Sequence, residues 1–281
     1  MDAEVAAGDP AFDIERRLLL EAIYLRYGYD FRRYAAASIK RRLRSAMTHL
    51  GCATVSQLQD RVLHDDHAFP ALLDFLTVPV SDFFRDPSYF LALREHVVPL
   101  LRTYPSLKVW VAGCSTGEEA YSLAILLQEE GLLDRTLIYA TDINPRSLQV
   151  AESGVYALDR VQAFTANHRQ AGGRSPLHEY FTAAYDRAVF DAALRRRIVF
   201  SDHSLATDTV FAEVHLVSCR NVLIYFDREL QDRAVGLFRE ALVRRGFLGL
   251  GARETLRFTS HADAFVEVAR SERVFRKRDV A

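Results

Sequence analysis

Apolar positions along the chain follow two rhythms, and the change between them falls near Lys108. Over the first ~80 residues the spacing is helical. Ile14-Glu15-Arg16-Arg17-Leu18-Leu19-Leu20-Glu21-Ala22-Ile23 repeats apolar residues at helical intervals, and Asp60 to Leu76 continues in the same style without β-branched alternation. From Lys108 onward the short β-rich runs VWVAGC, LIYATD, RIVFSD and VHLVSC appear, most of them followed by helical stretches. That alternation predicts a parallel sheet with helices packed on its faces. The helix after the first strand is well marked. Ala120, Leu123, Ala124 and Leu127 share one face, and Gly131 supplies a stop. Asp227 predicts the cap of a later helix whose apolar face is Leu230, Ala234, Leu237, Phe238 and Ala241. Between Gly154 and Phe200 the pattern breaks. Arg, His, Gln and Gly accumulate in ANHRQAGGRSP, then YFTAAYDRAVFDAALRRRIVF follows, which reads as an excursion into a small antiparallel subdomain.

Composition narrows the class without naming a chemistry. A chain of 281 residues suits one large domain plus a smaller one. The net charge of −1 gives nucleic-acid binding no overall support. No apolar run approaches the ~20 residues of a membrane span. The acidic opening MDAEVAAGDPAFD lacks an apolar signal core, so a cytoplasmic protein with no membrane insertion is expected. Cys52, Cys114 and Cys219 are widely spaced and odd in number, which suits a reducing compartment and argues against a disulfide frame or zinc site. His64 and His67 flank Asp65 and Asp66, but the cluster reads as a polar loop or helix face, and no metal is expected.

The run VWVAGCSTGEEAYSLAI reads as a buried strand, a glycine turn and a helix, the unit that places a nucleotide-like ligand at a strand's carboxyl end. Gly113 and Gly117 allow close backbone approach. A phosphate site would use free helix N–H groups and often a Lys. Here Glu118 and Glu119 open the helix instead, suiting its positive end but repelling a nearby phosphate. A ligand carrying positive charge is favoured, and S-adenosyl-L-methionine, with a sulfonium, an ammonium, a ribose and no phosphate, fits. Asp142 ends the second strand 25 residues after Gly117, where a carboxylate can accept hydrogen bonds from both ribose hydroxyls.

AGCSTGEEAYSLA, TDIN, SCRNVLIYFD and the upstream VPVSDFFRDP together resemble the motif series of the CheR-type chemotaxis receptor methyltransferases, in order from about Phe12 to the end of the chain. Members of that family methylate glutamate side chains on receptor helices with S-adenosyl-L-methionine and release S-adenosyl-L-homocysteine. The resemblance implies an α/β fold, a Rossmann-like class I methyltransferase sheet of seven strands with an all-helical N-terminal domain and a small antiparallel β-subdomain. The expected division is a receptor-recognising helical domain over 1–80, a linker and start of the catalytic domain over 81–107, and the methyltransferase domain over 108–281, with the β-subdomain at about 175–200. Carried over position by position, the family's cofactor contacts fall on Ser81, Arg85, Glu119, Asp142, Leu205, Asn221 and Val222, and Tyr225 falls beside the methyl-transfer region. Pro79 and Ser204 stand at two further cofactor positions where the family often has Asn, so the side-chain donor is lost at one and the side chain shortened at the other.

The implied chemistry needs little acid–base machinery. A glutamate with a reference pKa of ~4.3 is already ionised at neutral pH, so catalysis is chiefly alignment of nucleophile, methyl and sulfur. Arg85 is expected to steer the carboxylate or hold the cofactor, and Tyr225 to supply a hydrogen bond and one wall. The expected partner is the cytoplasmic helical domain of a chemoreceptor, met by a monomer. In the run from Ser38 to Met47, Ile39, Leu43, Ala46 and Met47 share the core face, while Lys40, Arg41 and Arg44 project from others. Arg41 and Arg44 are therefore candidate substrate-binding residues for an acidic receptor helix. Family members that grip a C-terminal receptor peptide carry a Gly-containing loop after a Tyr-Phe pair. Here Tyr180-Phe181 leads into TAAYDRAVFDAA, without Gly, and docking of such a peptide is not expected. Two alternatives remain open: a methyltransferase of similar fold acting on another substrate, and a non-catalytic signalling protein that binds the cofactor or its product.

Overall fold

The structure, a computed structural model, describes residues 10–77 and 79–279. The chain divides into two compact units, residues 1–78 with 225–230, and residues 79–224 with 231–281.

The first unit is built from α1 (Pro10–Tyr27), α2 (Ala36–Leu50), α3 (Val55–His64) and α4 (Ala68–Leu76). Its core gathers Leu19, Leu20 and Ile23 of α1, Ile39, Leu43 and Ala46 of α2, Val55, Leu58 and Val62 of α3, and Leu72, Leu73 and Leu76 of α4. The run from Asp60 to Leu76 is two helices, not one. Asp65 takes an extended conformation and its Oδ1 accepts the His67 N–H at 2.9 Å, a side-chain turn that competes with the helix. On α1 the apolar count is larger than the buried face, since Ile14 and Leu18 stay exposed. On α2, Met47 is only partly buried, and Arg42 is buried beside Leu43.

Among the described residues, the second unit carries ten strands. In chain order they are β1 (Leu107–Ala112), β2 (Thr136–Asp142), β3 (Val155–Ala157), β4 (Phe181–Ala184), β5 (Arg187–Phe190), β6 (Ile198–Asp202), β7 (Val214–Cys219), β8 (Leu242–Leu250), β9 (Phe265–Ala269) and β10 (Val274–Lys277). The large sheet has seven strands in the order β6-β2-β1-β7-β8-β10-β9. β6, β2, β1, β7 and β8 run parallel, and β10 is antiparallel to both its neighbours. The four β-rich runs of the sequence are β1, β2, β6 and β7; the central strands β1 and β7 are buried along nearly their whole length, as parallel strands covered on both faces are, whereas β6, at the edge of the sheet, is largely exposed.

Before β1 come α5 (Pro87–Ala92) and α6 (Val98–Leu101), and between the strands lie α7 (Glu118–Glu129), α8 (Pro145–Ser153), α9 (Leu158–Ala163), α10 (Thr165–Gln170), α11 (Ala192–Arg195) and α12 (Arg228–Ala241). The expected cap of α12 is present, with Leu230 N–H donating to Asp227 Oδ1 at 2.9 Å. α7 is buried around most of its circumference, well beyond the single stripe of the sequence pattern. The cause is a second layer: the Tyr121 ring packs 5.0 Å from Phe190 of β5 and 5.9 Å from Tyr156 of β3. That layer is the small antiparallel sheet, ordered β3-β5-β4. It opens at Val155, earlier than the 175–200 expected, with α9 and α10 inserted before its second strand.

A buried ionic network ties the segment leading into β4 to the end of α7. Glu129 Oε1 accepts from Tyr180 Oη (2.9 Å) and the Arg174 N–H (2.9 Å), and faces His168 Nε2 at 3.0 Å, while Arg94 bonds the other oxygen. Glu130 next to it pairs with Arg94 and Arg174 at 2.8 Å each and with Arg102 at 2.7 Å. Burial alone would raise the Glu129 pKa, but the bonds from His168, Arg174 and Arg94 outweigh it and hold the carboxyl down at about 2. A folded-state value below the unfolded one gives stability that is present above pH 4.5 and lost as the pH falls towards 2. A displacement from 4.5 to about 2 corresponds to roughly 3 kcal/mol. The stability gap between the parent and Glu129→Gln in urea unfolding is therefore expected to be widest above pH 5 and to close towards pH 2. A gap independent of pH would remove charge from the account.

Candidate functional site

The carboxyl ends of β6, β2, β1 and β7 lie side by side, and the residues that follow them form the site. After β1, Gly113 takes a φ of +75°, and a Cβ there would sit 2.4 Å from Val222 Cγ2. Glycine is thus what lets the turn after β7 close onto the turn after β1. Ser115 also adopts a positive φ, its N–H donates to Asp142 Oδ2 at 2.8 Å, and its Oγ is buried with no partner among the described residues. Asp142 Oδ1 accepts the Asn144 N–H at 3.0 Å. Burial pushes the Asp142 carboxyl up, against the pull of these N–H bonds, and nearby Asp202, its register partner on β6, adds to the rise.

Ser204 and Leu205 follow β6 in a turn held by the Ser204 N–H to Asp208 Oδ2 at 2.8 Å. Asn221 and Val222 follow β7, Asn221 with a φ of 61°. Their amides donate to Glu254, at 3.1 Å and 2.9 Å, and the same carboxylate takes the N–H groups of Ile224 (3.3 Å) and Gly251 (2.6 Å). Glu254 was not marked by the sequence reading, although a carboxylate three residues beyond the apolar strand and Gly251 is the signal that could have found it.

The pair at the start of α7 behaves differently from its expected role of free negative charge. Glu118 is fully buried, accepts from Thr116 Oγ1 and pairs with Arg160 at 3.3 Å, while burial pushes its carboxyl up. Glu119 accepts from Ser218 Oγ at 2.6 Å and from Arg220 Nη1 at 3.0 Å. Arg220, also unmarked by the sequence reading, is 1% exposed, and its other nitrogen reaches the Arg85 carbonyl at 2.8 Å and Asp86 Oδ2 at 2.7 Å. The Tyr89 ring lies 4.2 Å below the Arg220 guanidinium, and its hydroxyl meets Ser218 Oγ at 2.7 Å. A Cβ at Gly249 of β8 would strike that hydroxyl at 2.1 Å.

These contacts fix SDFFRD. Phe83 stacks on Phe190 at 4.9 Å and Phe84 packs 5.1 Å from Phe90, so both phenylalanines belong to the core. Phe84 and Asp86 hold left-handed φ values of 52° and 55°, with Arg85 partly exposed between them. The Ser81 carbonyl accepts from Arg160 at 2.6 Å, and Pro79 is exposed. Tyr225 belongs to the first unit, where the Arg42 guanidinium lies 4.3 Å from its ring and the Ala35 N–H bonds its carbonyl at 2.8 Å. In α2, Arg41 and Arg44 are exposed, Arg44 lying 5.1 Å over the Phe12 ring, while Lys40 is engaged with Asp13 at 2.8 Å.

Counted along the large sheet alone, the strand order is 3-2-1-4-5-7-6 with one antiparallel strand, and with a glycine turn and a terminal aspartate on the central strands it defines a Rossmann-like methyltransferase. The chain belongs to the CheR methyltransferase family: residues 79–274 match its SAM binding domain and residues 14–77 its all-alpha domain. A Pseudomonas putida protein named as the methyltransferase Cher3 is 60% identical over 94% of this chain and 97% of its own. The chemotaxis protein methyltransferase of Listeria monocytogenes is 31% identical over 82% of this chain and 85% of its own. Among solved structures, the N-methyltransferase NodS of Bradyrhizobium japonicum with S-adenosyl-l-homocysteine matches at a TM-score of 0.40 and 15% identity, over 79% of this chain and 97% of that one. That match is too loose to carry an argument. The donor set fits the family's cofactor: the Gly113–Gly117 turn holds no Lys or Arg, Ser115 Oγ has no described partner, and Asp142 accepts backbone amides and meets no cation among the described residues.

Breaking the ion pair at the centre of this site leaves Glu119 without its cation. Arg220→Leu is expected to cost roughly 3–5 kcal/mol in urea unfolding. A variant as stable as the parent would show that Arg220 does not hold the SDFFRD segment.

Proposed function

We propose that the protein transfers a methyl group from S-adenosyl-L-methionine to glutamate side chains on the cytoplasmic helical domain of a chemoreceptor, forming methyl esters and leaving S-adenosyl-L-homocysteine. The observation that carries this reading is Asp142: a carboxylate without a cationic partner among the described residues, beside a glycine turn that has no phosphate-binding Lys. Such a place suits a ligand with ribose hydroxyls and positive charge. Family membership and the name of the Listeria relative support the reaction class.

When bound, the cofactor supplies an electrophilic methyl next to a sulfonium. Glu119, Leu205, Asn221 and Val222, with Pro79, Ser81 and Ser204 at the edges, are the residues we assign to hold it, and Asp142 to bond its ribose. The receptor carboxylate is already ionised, so no general base is assigned. Arg85 orients it, on a backbone held rigid by Arg220 through the Arg85 carbonyl. Tyr225 lends a hydroxyl, and Arg41 and Arg44 attract the acidic receptor helix. No metal is assigned a part, and we do not assign the protein a grip on a receptor's tail peptide, a reading supported by the short β4–β5 turn of Tyr185 and Asp186, without Gly.

Calorimetry with S-adenosyl-L-homocysteine tests the cofactor assignment. Losing two charge-assisted bonds, Asp142→Ala should weaken binding by about tenfold or more. Unchanged binding by a folded variant removes Asp142 from the site. In a methyl-transfer assay on receptor fragments, Arg85→Ala and Tyr225→Phe should lower turnover while leaving unfolding midpoints near the parent's. Parent-like rates in both would refute the assignment. Binding with no transfer by the parent would favour the non-catalytic reading that Pro79 and Ser204 suggest.

Arg41→Glu with Arg44→Glu should raise the KM for receptor, leave product affinity alone, and do so most at low salt, because exposed charges are screened beyond ~8 Å at physiological ionic strength. An unchanged KM at low salt would make α2 a solvated face.

A further inference from the structure

The loop after β8 and the turn between β9 and β10 enclose a cavity of about 590 Å3 whose lining includes Arg253, Arg257, Arg270 and Arg273. Among these, Arg270 is paired, with Glu267 at 3.7 Å. The other three have no ion-pair partner among the described residues. Glu254 also lines the cavity, but it is 3% exposed and its carboxylate is committed to the amides of Asn221, Val222, Ile224 and Gly251. Phe258, 67% exposed, adds an apolar platform. A chain with a net charge of −1 thus concentrates uncompensated positive charge in one concave place.

We propose that this arginine-lined cavity receives acidic side chains flanking the target glutamate of the protein substrate. The proposal rests on the reading that the substrate is a glutamate-bearing protein segment, and it assigns a second contact surface for that segment. Guanidinium groups match carboxylates in paired, planar hydrogen bonds, which ammonium groups do not. Continuity favours a protein segment over a free anion. Through Glu254, the cavity wall is bonded to the turn that carries Asn221 and Val222, so a chain seated here lies next to the loop assigned to the cofactor.

The test uses the full chain with Arg253→Glu and Arg257→Glu combined, and with Arg253→Gln and Arg257→Gln should the reversed variant unfold. The KM for a receptor fragment should rise by about tenfold at low salt, the equivalent of one lost charged contact, with kcat and S-adenosyl-L-homocysteine affinity near the parent's. Replacing both arginines by lysine should recover part of the loss. A parent-like KM in the charge-altered variants overturns the proposal. A short oligo-glutamate peptide titrated against parent and variant separates this from the enzymatic reading. If the parent methylates no receptor fragment, the methyl-transfer reading fails, yet loss of peptide binding in the variant still supports the cavity. If the parent binds inorganic phosphate here and not the peptide, the cavity is a small-anion site and the proposal falls.

Discussion

The Glu119–Arg220 ion pair is the constraint on which the candidate site depends. It joins the first turn of α7 to the end of β7, and through its second nitrogen Arg220 also holds the backbone of Arg85 and the carboxylate of Asp86. A guanidinium that is 1% exposed needs its charge compensated, and here Glu119, Asp86 and the Arg85 carbonyl take its two terminal nitrogens while the Tyr89 ring lies against its face; Nε has no partner among the described residues. Three segments far apart in sequence are thereby held in one geometry. The left-handed backbone at Phe84 and Asp86 persists because the surroundings leave it no alternative.

The same logic recurs one layer out. Glu129 and Glu130, at the far end of α7, are buried and gather Arg94, Arg174, His168 and Tyr180 around them. One helix thus carries ionic locks at both ends, one fixing the site and the other fixing the small sheet. Glu254 plays a third and different part. It has no cation among the described residues and is satisfied by four backbone amides, which shape the turn after β7. Burial pushes its carboxyl up despite those bonds.

Much of the scaffold was legible in the sequence, because short β-rich runs mark the parallel strands, most clearly the buried central β1 and β7, and glycine turns punctuate them. β1, β2, β6 and β7 and the cap at Asp227 follow from such local rules. The motifs around Gly113, Asp142 and Asn221 were legible as residues, and their mutual approach through Val222 needed coordinates. Arg220, Glu129, Glu130 and Glu254 were not singled out. Each looks like an ordinary charge at an element's end, and its meaning lies mostly in distant partners, up to 135 residues away. Arg42 hides for a related reason: on a helix rich in Arg, only packing decides which one turns inward.

On the proposed function, the site binds a cation-bearing methyl donor and presents it to an ionised carboxylate aligned by Arg85. The most direct measurement is the chemical identity of the product formed when the protein, a receptor cytoplasmic fragment and methyl-labelled S-adenosyl-L-methionine are incubated together. Label on glutamate that is released as methanol by mild base is the predicted result, since a methyl ester hydrolyses there. Base-stable label, or label on a residue other than glutamate, would contradict it.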